Sequence, residues 1–314
     1  SELLPVPYFH NVFTLPHDLN PIILSNKKVM LNILFQSVSE TLMTFAVNQM
    51  MGRLGFLAIL HTWDQLLKPH FHLHCLIPGG VMATDGTAWI PCKHDYLFNE
   101  EALGLVFRGK FIYHMSRAYR KGHIKFPGTS LGPTQFRQLK KRLYVNKWVV
   151  SIRESIQHPE HVIDYLGRYT HRVAISNSRI QSVKDGKVTF SYKHRETNQK
   201  KYTTIDAVEF IKRFLRHALP KRFVRIRHYG FLSNRNKERN LSLVRQLIGI
   251  SSRKKPRTDK AVNDMIKALT GIDITICPCC NKGTMRLVRE FVKYNGANAA
   301  DIIRPPNLPR SVSA

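Results

Sequence analysis

Between Gly55 and Gly80 the chain carries two apolar runs joined by a short link, and this pair limits the fold more than any other feature. The first run is Gly55-Phe56-Leu57-Ala58-Ile59-Leu60-His61-Thr62-Trp63; the second is Phe71-His72-Leu73-His74-Cys75-Leu76-Ile77, ended by Pro78-Gly79-Gly80. Runs of this length bounded by Gly and Pro read as β-strands. A link turning around Leu66-Leu67 suits a hairpin and is too short for the crossover that parallel neighbours need. An antiparallel sheet is therefore expected, and a parallel doubly wound sheet is disfavoured. No Gly-rich phosphate loop follows a strand.

The remaining pattern alternates strands and helices. Val12-Phe13-Thr14-Leu15 is a short β-prone run ended by Pro16. Residues 27 to 51 are almost free of breakers, and Leu31, Leu34, Phe35, Val38, Leu42 and Phe45 recur near helical spacing. Thr84-Asp85-Gly86-Thr87 signals a turn, and Val183-Lys184-Asp185-Gly186-Lys187-Val188 a hairpin. Residues 100 to 121, 134 to 147, 206 to 218 and 235 to 248 read as helices, and Phe223-Val224-Arg225-Ile226-Arg227 as a strand. The expected architecture is α+β: a central antiparallel sheet flanked by helices, in one body over 1–250. Ser251 to Arg257 forms a basic, breaker-rich linker, and 251–314 reads as that linker plus a small cysteine-containing region.

Within the second run, alternation sends Leu73 to one face of the strand and both imidazoles of His72 and His74 to the other. Two imidazoles on one face can grip a metal ion, but a divalent ion needs more ligands. If the two strands pair around Leu66-Leu67, His61 lies opposite His72 and projects to the same face. His61 is thus the provisional third ligand. Asp64 and Gln65 are alternatives, and His70 is a rival on the face of His72.

Charge speaks to the partner. Among 314 residues there are 49 Lys+Arg against 21 Asp+Glu, a formal net charge of +28. Such an excess points to a polyanion, either nucleic acid or an acidic membrane surface. No apolar run is read as a membrane span, and Ser1-Glu2-Leu3 opens neither the basic nor the apolar part of a secretory signal. The five cysteines are unevenly placed and make no disulfide framework. A cytoplasmic protein is expected, since a reducing cytosol suits such cysteines.

A second constellation is His158-Pro159-Glu160-His161-Val162-Ile163-Asp164-Tyr165-Leu166-Gly167-Arg168-Tyr169-Thr170-His171-Arg172. Pro159 and Glu160 suit a first helical turn. Tyr165 and Tyr169 are four residues apart and share a helix face. Val162 and Leu166 fall near that face, so a core role for the tyrosines stays open. Against it, Arg168, His171 and Arg172 crowd the same turn and suit phosphate contacts. A phenol beside a metal-polarised phosphate is a competent nucleophile.

Phe71-His72-Leu73-His74-Cys75 with Pro78-Gly79-Gly80, followed by Tyr165-Leu166-Gly167-Arg168-Tyr169-Thr170-His171-Arg172-Val173-Ala174-Ile175-Ser176-Asn177, resembles the IS ninety-one type of rolling-circle transposases. These belong to the two-tyrosine HUH endonuclease superfamily, where U is a hydrophobic residue. The similarity runs from Leu3-Leu4-Pro5-Val6-Pro7-Tyr8 to Arg225-Ile226-Arg227-His228-Tyr229-Gly230. The resemblance implies an antiparallel sheet with the His-x-His on a central strand and the tyrosine helix facing it. It implies His72 and His74 as ligands of Mg2+ or Mn2+ and Tyr165 and Tyr169 as paired nucleophiles. The implied activity is nicking and rejoining of single-stranded DNA at transposon ends, including hairpins, through a 5′-phosphotyrosine link. The resemblance also implies association with the bacterial nucleoid when bound to DNA.

Two departures and two rival functions bear on this reading. Relatives often carry a cysteine-rich zinc module ahead of the Leu3-Leu4-Pro5-Val6-Pro7 segment, and this chain begins without it. The tail keeps Cys277 and Cys280, half of a four-cysteine Zn2+ site. They could bind zinc with a histidine, pair with the missing module, or stand as reduced thiols. One rival is a non-catalytic binder of single-stranded DNA, with Tyr8, Trp63, Tyr113, Tyr119 and Trp148 as base-stacking rings. The other is a metal-dependent hydrolase of small molecules, which the charge disfavours.

Overall fold

The computed structural model describes residues 3–93, 97–125, 132–156, 174–194 and 196–250, with Asp264, Lys267, Asp273, Thr275, Ile276, Cys277, Cys280 and 282–285. By its contacts the chain divides into Ser1–Ser252 and Arg253–Ala314. In chain order the strands are β1 (Tyr8–Thr14), β2 (Gly52–Arg53), β3 (Gly55–Trp63), β4 (Pro69–Pro78), β5 (Gly80–Ala83), β6 (Trp89–Pro91), β7 (Val150–Ile156), β8 (Ile180–Lys184), β9 (Lys187–Lys193), β10 (Lys200–Asp206) and β11 (Ile226–Gly230). The helices are α1 (Asn20–Ser25), α2 (Lys27–Met50), α3 (Glu100–Arg120), α4 (Pro133–Val145), α5 (Ala207–Leu215) and α6 (Lys237–Leu247).

Five strands form the main sheet in the order β11-β3-β4-β1-β7, so β4 is its middle strand. Every pairing in it is antiparallel. The strands β2-β5-β6 and β8-β9-β10 make two smaller sheets. In the second of these, Asp185 and Gly186 take positive φ of 52° and 70°, the twisted turn that the sequence signalled. The α+β architecture with an antiparallel sheet is thus as the sequence reading expected.

The two-residue period of the strands gives the main sheet two unlike faces. One face carries Phe9 and Phe13 from β1, Phe56, Ala58 and Leu60 from β3, and Phe71, Leu73, Cys75 and Ile77 from β4. These pack in one cluster with Leu31, Leu34, Phe35, Val38 and Leu42 of α2 and Leu103, Phe107 and Phe111 of α3. Asn99 starts α3 by accepting a hydrogen bond from the Ala102 amide at 2.8 Å, and Glu100 and Glu101 favour its positive N-terminal end. The opposite face carries His61, His72, His74 and His10 beside a smaller cluster of Tyr8, Leu57, Ile59 and Leu76.

Three expectations are adjusted. The run read at Val12–Leu15 is the end of a longer strand, because buried His10 and Asn11 break its apolar pattern while keeping their place in the sheet. The strand read at Phe223–Arg227 begins instead at Ile226. Arg222 has φ 61° and the Phe223 amide bonds back to the Pro220 carbonyl, so that stretch is a turn. The Phe223 ring, with Phe35 of α2, receives Arg227, whose guanidinium lies 3.9 Å over Phe35 and 5.1 Å over Phe223. Gly230 then ends β11 at φ 59°, where any Cβ would collide with the Leu54 carbonyl. Third, α2 is by length and apolarity able to cross a membrane, the one such helix among the described residues. Most of its apolar side chains, from Met30 to Ala46, lie in the core beneath the sheet, while Val47 is exposed.

Candidate metal centre

The hairpin of β3 and β4 sets the site. Its register pairs His61 directly with His72, Ile59 with His74 and Leu60 with Leu73. A one-residue irregularity follows between His61 and Trp63. The turn is pinned from inside by Asp64, whose Oδ1 accepts from the amides of Leu66 and Lys68 at 2.8 and 2.7 Å. Leu67 takes φ 61°, unusual for a branched residue. It is held there because its side chain is buried with Ala174, Val188 and Phe190. The turn carbonyls are clamped from outside: Arg179 donates to Gln65, Arg213 to Leu66 and His217 to Leu67. This over-determined turn fixes the register, and a one-residue slip would turn every imidazole into the core.

On the site face one ring nitrogen from each of His61, His72 and His74 lies within 4.8 Å of the other two, and all three residues are buried. His72 Nδ1 donates to the His70 carbonyl at 2.9 Å. Since a carbonyl only accepts, neutral His72 carries its proton on Nδ1 and keeps the Nε2 lone pair for a ligand. Burial, and next the neighbouring imidazoles of His70 and His61, hold the His72 pKa well below the ordinary histidine range. The ring is therefore neutral at physiological pH, the form that binds metal. His10 Nε2 lies 2.8 Å from His74 Nδ1 with the rings nearly parallel. That contact fixes the orientation of His74, as outer partners of metal-binding histidines do. Trp63 stacks on His61 with centroids 4.8 Å apart. Three buried, oriented and mutually close imidazoles fit a divalent metal.

The other candidates divide clearly. Asp64 is committed to the turn, and Gln65 Oε1 faces the Lys193 amide at 3.5 Å. His70 turns toward His17, with His17 Nε2 3.1 Å from His70 Nδ1, and contributes its carbonyl rather than its ring to His72. Tyr165, Tyr169, Arg168, His171 and Arg172 lie outside the described residues. Sequence reasoning missed His10 and His17. Extending β1 back to Tyr8 would have put His10 on the histidine face, since Val12 pairs with His74. Among the rings read as base-stacking candidates, Tyr8 and Trp148 are buried. Tyr8 accepts from the Leu4 amide, and burial pushes its pKa up to about 12. Trp148 packs on Phe107 and Phe111. Tyr113 remains exposed.

In the second unit the Cys277 amide bonds to the Gly283 carbonyl at 2.8 Å, and the Gly283 amide donates to Cys280 Sγ at 3.3 Å. Amide donors, first among them those of Lys282 and Gly283, lower the Cys280 thiol pKa. Both thiols are free. They supply two donors, where structural zinc takes four.

Residues 55–240 match the family described as "Putative transposase", Y2_Tnp. The chain belongs to this transposase family. The matched region holds the histidine hairpin and the Tyr165–Tyr169 segment, and it stops before the cysteine tail. "Putative transposase y4qJ" of Sinorhizobium fredii (strain NBRC 101917 / NGR234) is 40% identical over 304 residues, covering 94% of this chain and 76% of that protein. The "Transposase for insertion sequence element IS801" of Pseudomonas savastanoi pv. phaseolicola is 26% identical over 288 residues, covering 89% and 67%. These relatives agree with the IS ninety-one resemblance read in the sequence.

Solved structures are more distant. TrwC complexed with a 27-mer DNA comprising its recognition hairpin and cleavage site overlaps with TM-score 0.28 at 13% identity, covering 77% of this chain and 74% of that one. A bacterial tRNA(His) guanylyltransferase-like protein in complex with GTP reaches 0.25 at 13% identity, covering 69% and 91%. Overlaps this loose do not separate one function from another.

Proposed function

We propose that this transposase nicks and rejoins single-stranded DNA at transposon ends, hairpins included, through a 5′-phosphotyrosine intermediate. The observation that carries the reading is the buried triad of His61, His72 and His74 on the face of the hairpin opposite the main core. Family membership and the net charge of +28 supply the polyanionic substrate.

His61, His72 and His74 would hold a divalent ion, which supplies Lewis-acid polarisation of the scissile phosphate. Of Mg2+ and Mn2+, an all-imidazole set favours Mn2+, because magnesium prefers oxygen ligands. His10 and the His70 carbonyl keep the two β4 imidazoles oriented throughout. Tyr165 or Tyr169 is the attacking group. Its phenol gives up a proton to solvent and its oxygen bonds to phosphorus. The bond from phosphorus to the 3′ oxygen breaks, and that oxygen takes up a proton to leave as a hydroxyl. The second tyrosine permits another cleavage or a strand transfer while the first link persists. Arg168, His171 and Arg172 are assigned to the flanking phosphates.

This chemistry is assigned to residues 1–250, with 251–314 a basic linker and a cysteine-containing region whose zinc, if bound, needs donors beyond Cys277 and Cys280. The protein is assigned to the cytoplasm, on nucleoid DNA. The deciding experiment incubates the chain with a single-stranded element-end oligonucleotide and Mn2+ or Mg2+, then looks for a denaturant-resistant adduct. The adduct is expected with wild type and lost when both Tyr165→Phe and Tyr169→Phe are present. Adduct surviving in the double variant would remove the tyrosine assignment. Binding without adduct at every candidate end would favour a non-catalytic DNA binder.

A further inference from the structure

The helical layer carries a groove that the nicking chemistry does not use. It runs between α3 and α4, encloses about 510 Å³ and is lined by Tyr113, Tyr119, Arg120, Arg137, Lys140 and Tyr144, among others. Its floor is built: Tyr119 stacks on Phe136 with centroids 3.9 Å apart, and Lys140 Nζ sits 5.5 Å over the same ring. No described residue covers its rim. Tyr113 is 59% and Tyr144 50% exposed. Arg108 holds the Tyr144 backbone by a 2.7 Å bond to its carbonyl, which fixes where that ring stands.

Charge is one-sided here. After Glu100 and Glu101 in its first turn, α3 has Arg108, Lys110, Arg117 and Arg120 and no acid; α4 has Arg137, Lys140, Lys141 and Arg142 and no acid. Among the described residues Glu40 pairs with Lys110 and Asp18 with Arg142, while no carboxylate pairs with Arg120, Arg137 or Lys140. Arg120, Arg137 and Lys140 line the groove; Arg108, Arg117 and Lys141 of the same helices likewise have no carboxylate partner among the described residues.

The groove also faces away from the histidines. Phe107 and Phe111 of α3 pack in the core, Phe107 edge-on to Phe13, on the apolar face of the main sheet. A strand engaged at His61, His72 and His74 lies across the sheet from Tyr113 and Tyr144.

We propose that this groove is a second binding site, for a single-stranded nucleic-acid segment separate from the one at the histidines. Exposed rings offer stacking platforms to bases, and the uncompensated cations take the phosphates. Duplex bases have both faces already stacked, so the rings select unpaired bases. The volume falls within the usual size of a ligand site and accommodates one or two nucleotides at a time. The site does not depend on the nicking reading, since it needs neither metal nor tyrosine chemistry.

The test uses the full chain and fluorescent dT30, with Tyr113→Ala/Tyr144→Ala and Arg120→Glu/Arg137→Glu as the two variants. The aromatic pair should lose about tenfold or more in affinity, as base stacking contributes at this scale. The charge pair should also flatten the salt dependence, by about 0.7 in log–log slope for each phosphate contact removed. Adduct yield on a short element-end oligonucleotide should be unchanged, and an iodouracil-substituted dT30 should crosslink to α3 or α4 peptides even in His72→Ala. Unchanged dT30 affinity in both variants with native melting curves overturns the proposal. So do crosslinks confined to the histidine strands, or equal competition by a blunt duplex. Failure of the adduct assay alone strikes the nicking reading and leaves this one standing.

Discussion

The two faces of β4 differ by one residue in sequence and completely in what they do. Leu73 and Cys75 point into the main core; His72 and His74 point to the opposite side of the sheet. Both faces are buried, so exposure does not tell them apart. On the core face, the packed apolar area holds the fold. On the histidine face, oriented imidazoles gather ring nitrogens for a ligand, with His72 held neutral by burial. The alternation of a strand thus lets one segment carry stability and chemistry with little overlap. Asn11 is the exception: its amide is fully buried on the core face, opposite Cys75, and neither polar atom has a hydrogen-bond partner among the described residues.

Substituting neighbouring residues on β4 should separate the two roles. His72→Ala should abolish the protein–DNA adduct and reduce Mn2+ binding more than a hundredfold in titration calorimetry, with the urea midpoint of the metal-free chain nearly unmoved. A collapse of the fold would show that the histidine face is also structural. Leu73→Ala should do the reverse, costing about 2–5 kcal/mol in urea unfolding. Metal affinity of the fraction still folded should be unchanged. Next in size, His10→Leu should weaken Mn2+ binding by about 10–100-fold while sparing all three direct donors, the usual effect of losing an outer partner.

A fourth prediction uses an imidazole buried away from the centre. Burial lowers the His217 pKa, its Nε2 donates to Leu67 and its Nδ1 faces Thr62 Oγ1 at 3.2 Å. The folded state therefore favours neutral His217, while the unfolded imidazole takes a proton near pH 6.5. Below that value the unfolded chain binds more protons, so stability falls as pH drops through about 6.5. His217→Gln should flatten the acid side of the melting profile measured without metal; an unaltered profile would assign the acid loss elsewhere. The smallest effect concerns Asn11. Asn11→Leu removes an unsatisfied buried amide, whose cost is about 1–3 kcal/mol, and adds volume to a packed core. A net gain of about 1 kcal/mol is expected in urea unfolding, and a loss would mean that the core has no room.

Much of this was legible in the chain because its signals are local. The hairpin followed from two apolar runs and a link too short for anything else, and α2 from helical spacing over many turns. The pairing of His61 with His72 followed from the same hairpin arithmetic. Elsewhere local signals misled. Phe223 looked like strand because apolar and basic residues alternate there, but its ring is spent on Arg227. Trp148 looked available for stacking, yet it completes the core beside Phe107 and Phe111. His10 was hidden because a polar residue in a short strand resembles a strand end.

By itself the sequence determined the antiparallel hairpin, the facing of His72 and His74, and a charge suited to a polyanion, since each depends on residue order or composition alone. Long-range packing settled the choice between the rival rings: His61, already set opposite His72 by the hairpin, joins the pair, and His70 turns to His17. The reason is register: Asp64 inside the turn and Arg179, Arg213 and His217 outside it come from distant parts of the chain. Their hydrogen bonds hold Leu67 in a left-handed conformation that short-range preference alone would not choose. The groove between α3 and α4 belongs to the same class. Its tyrosines and cations are visible in the sequence, but only packing leaves their rings uncovered on the side of the sheet away from the histidines.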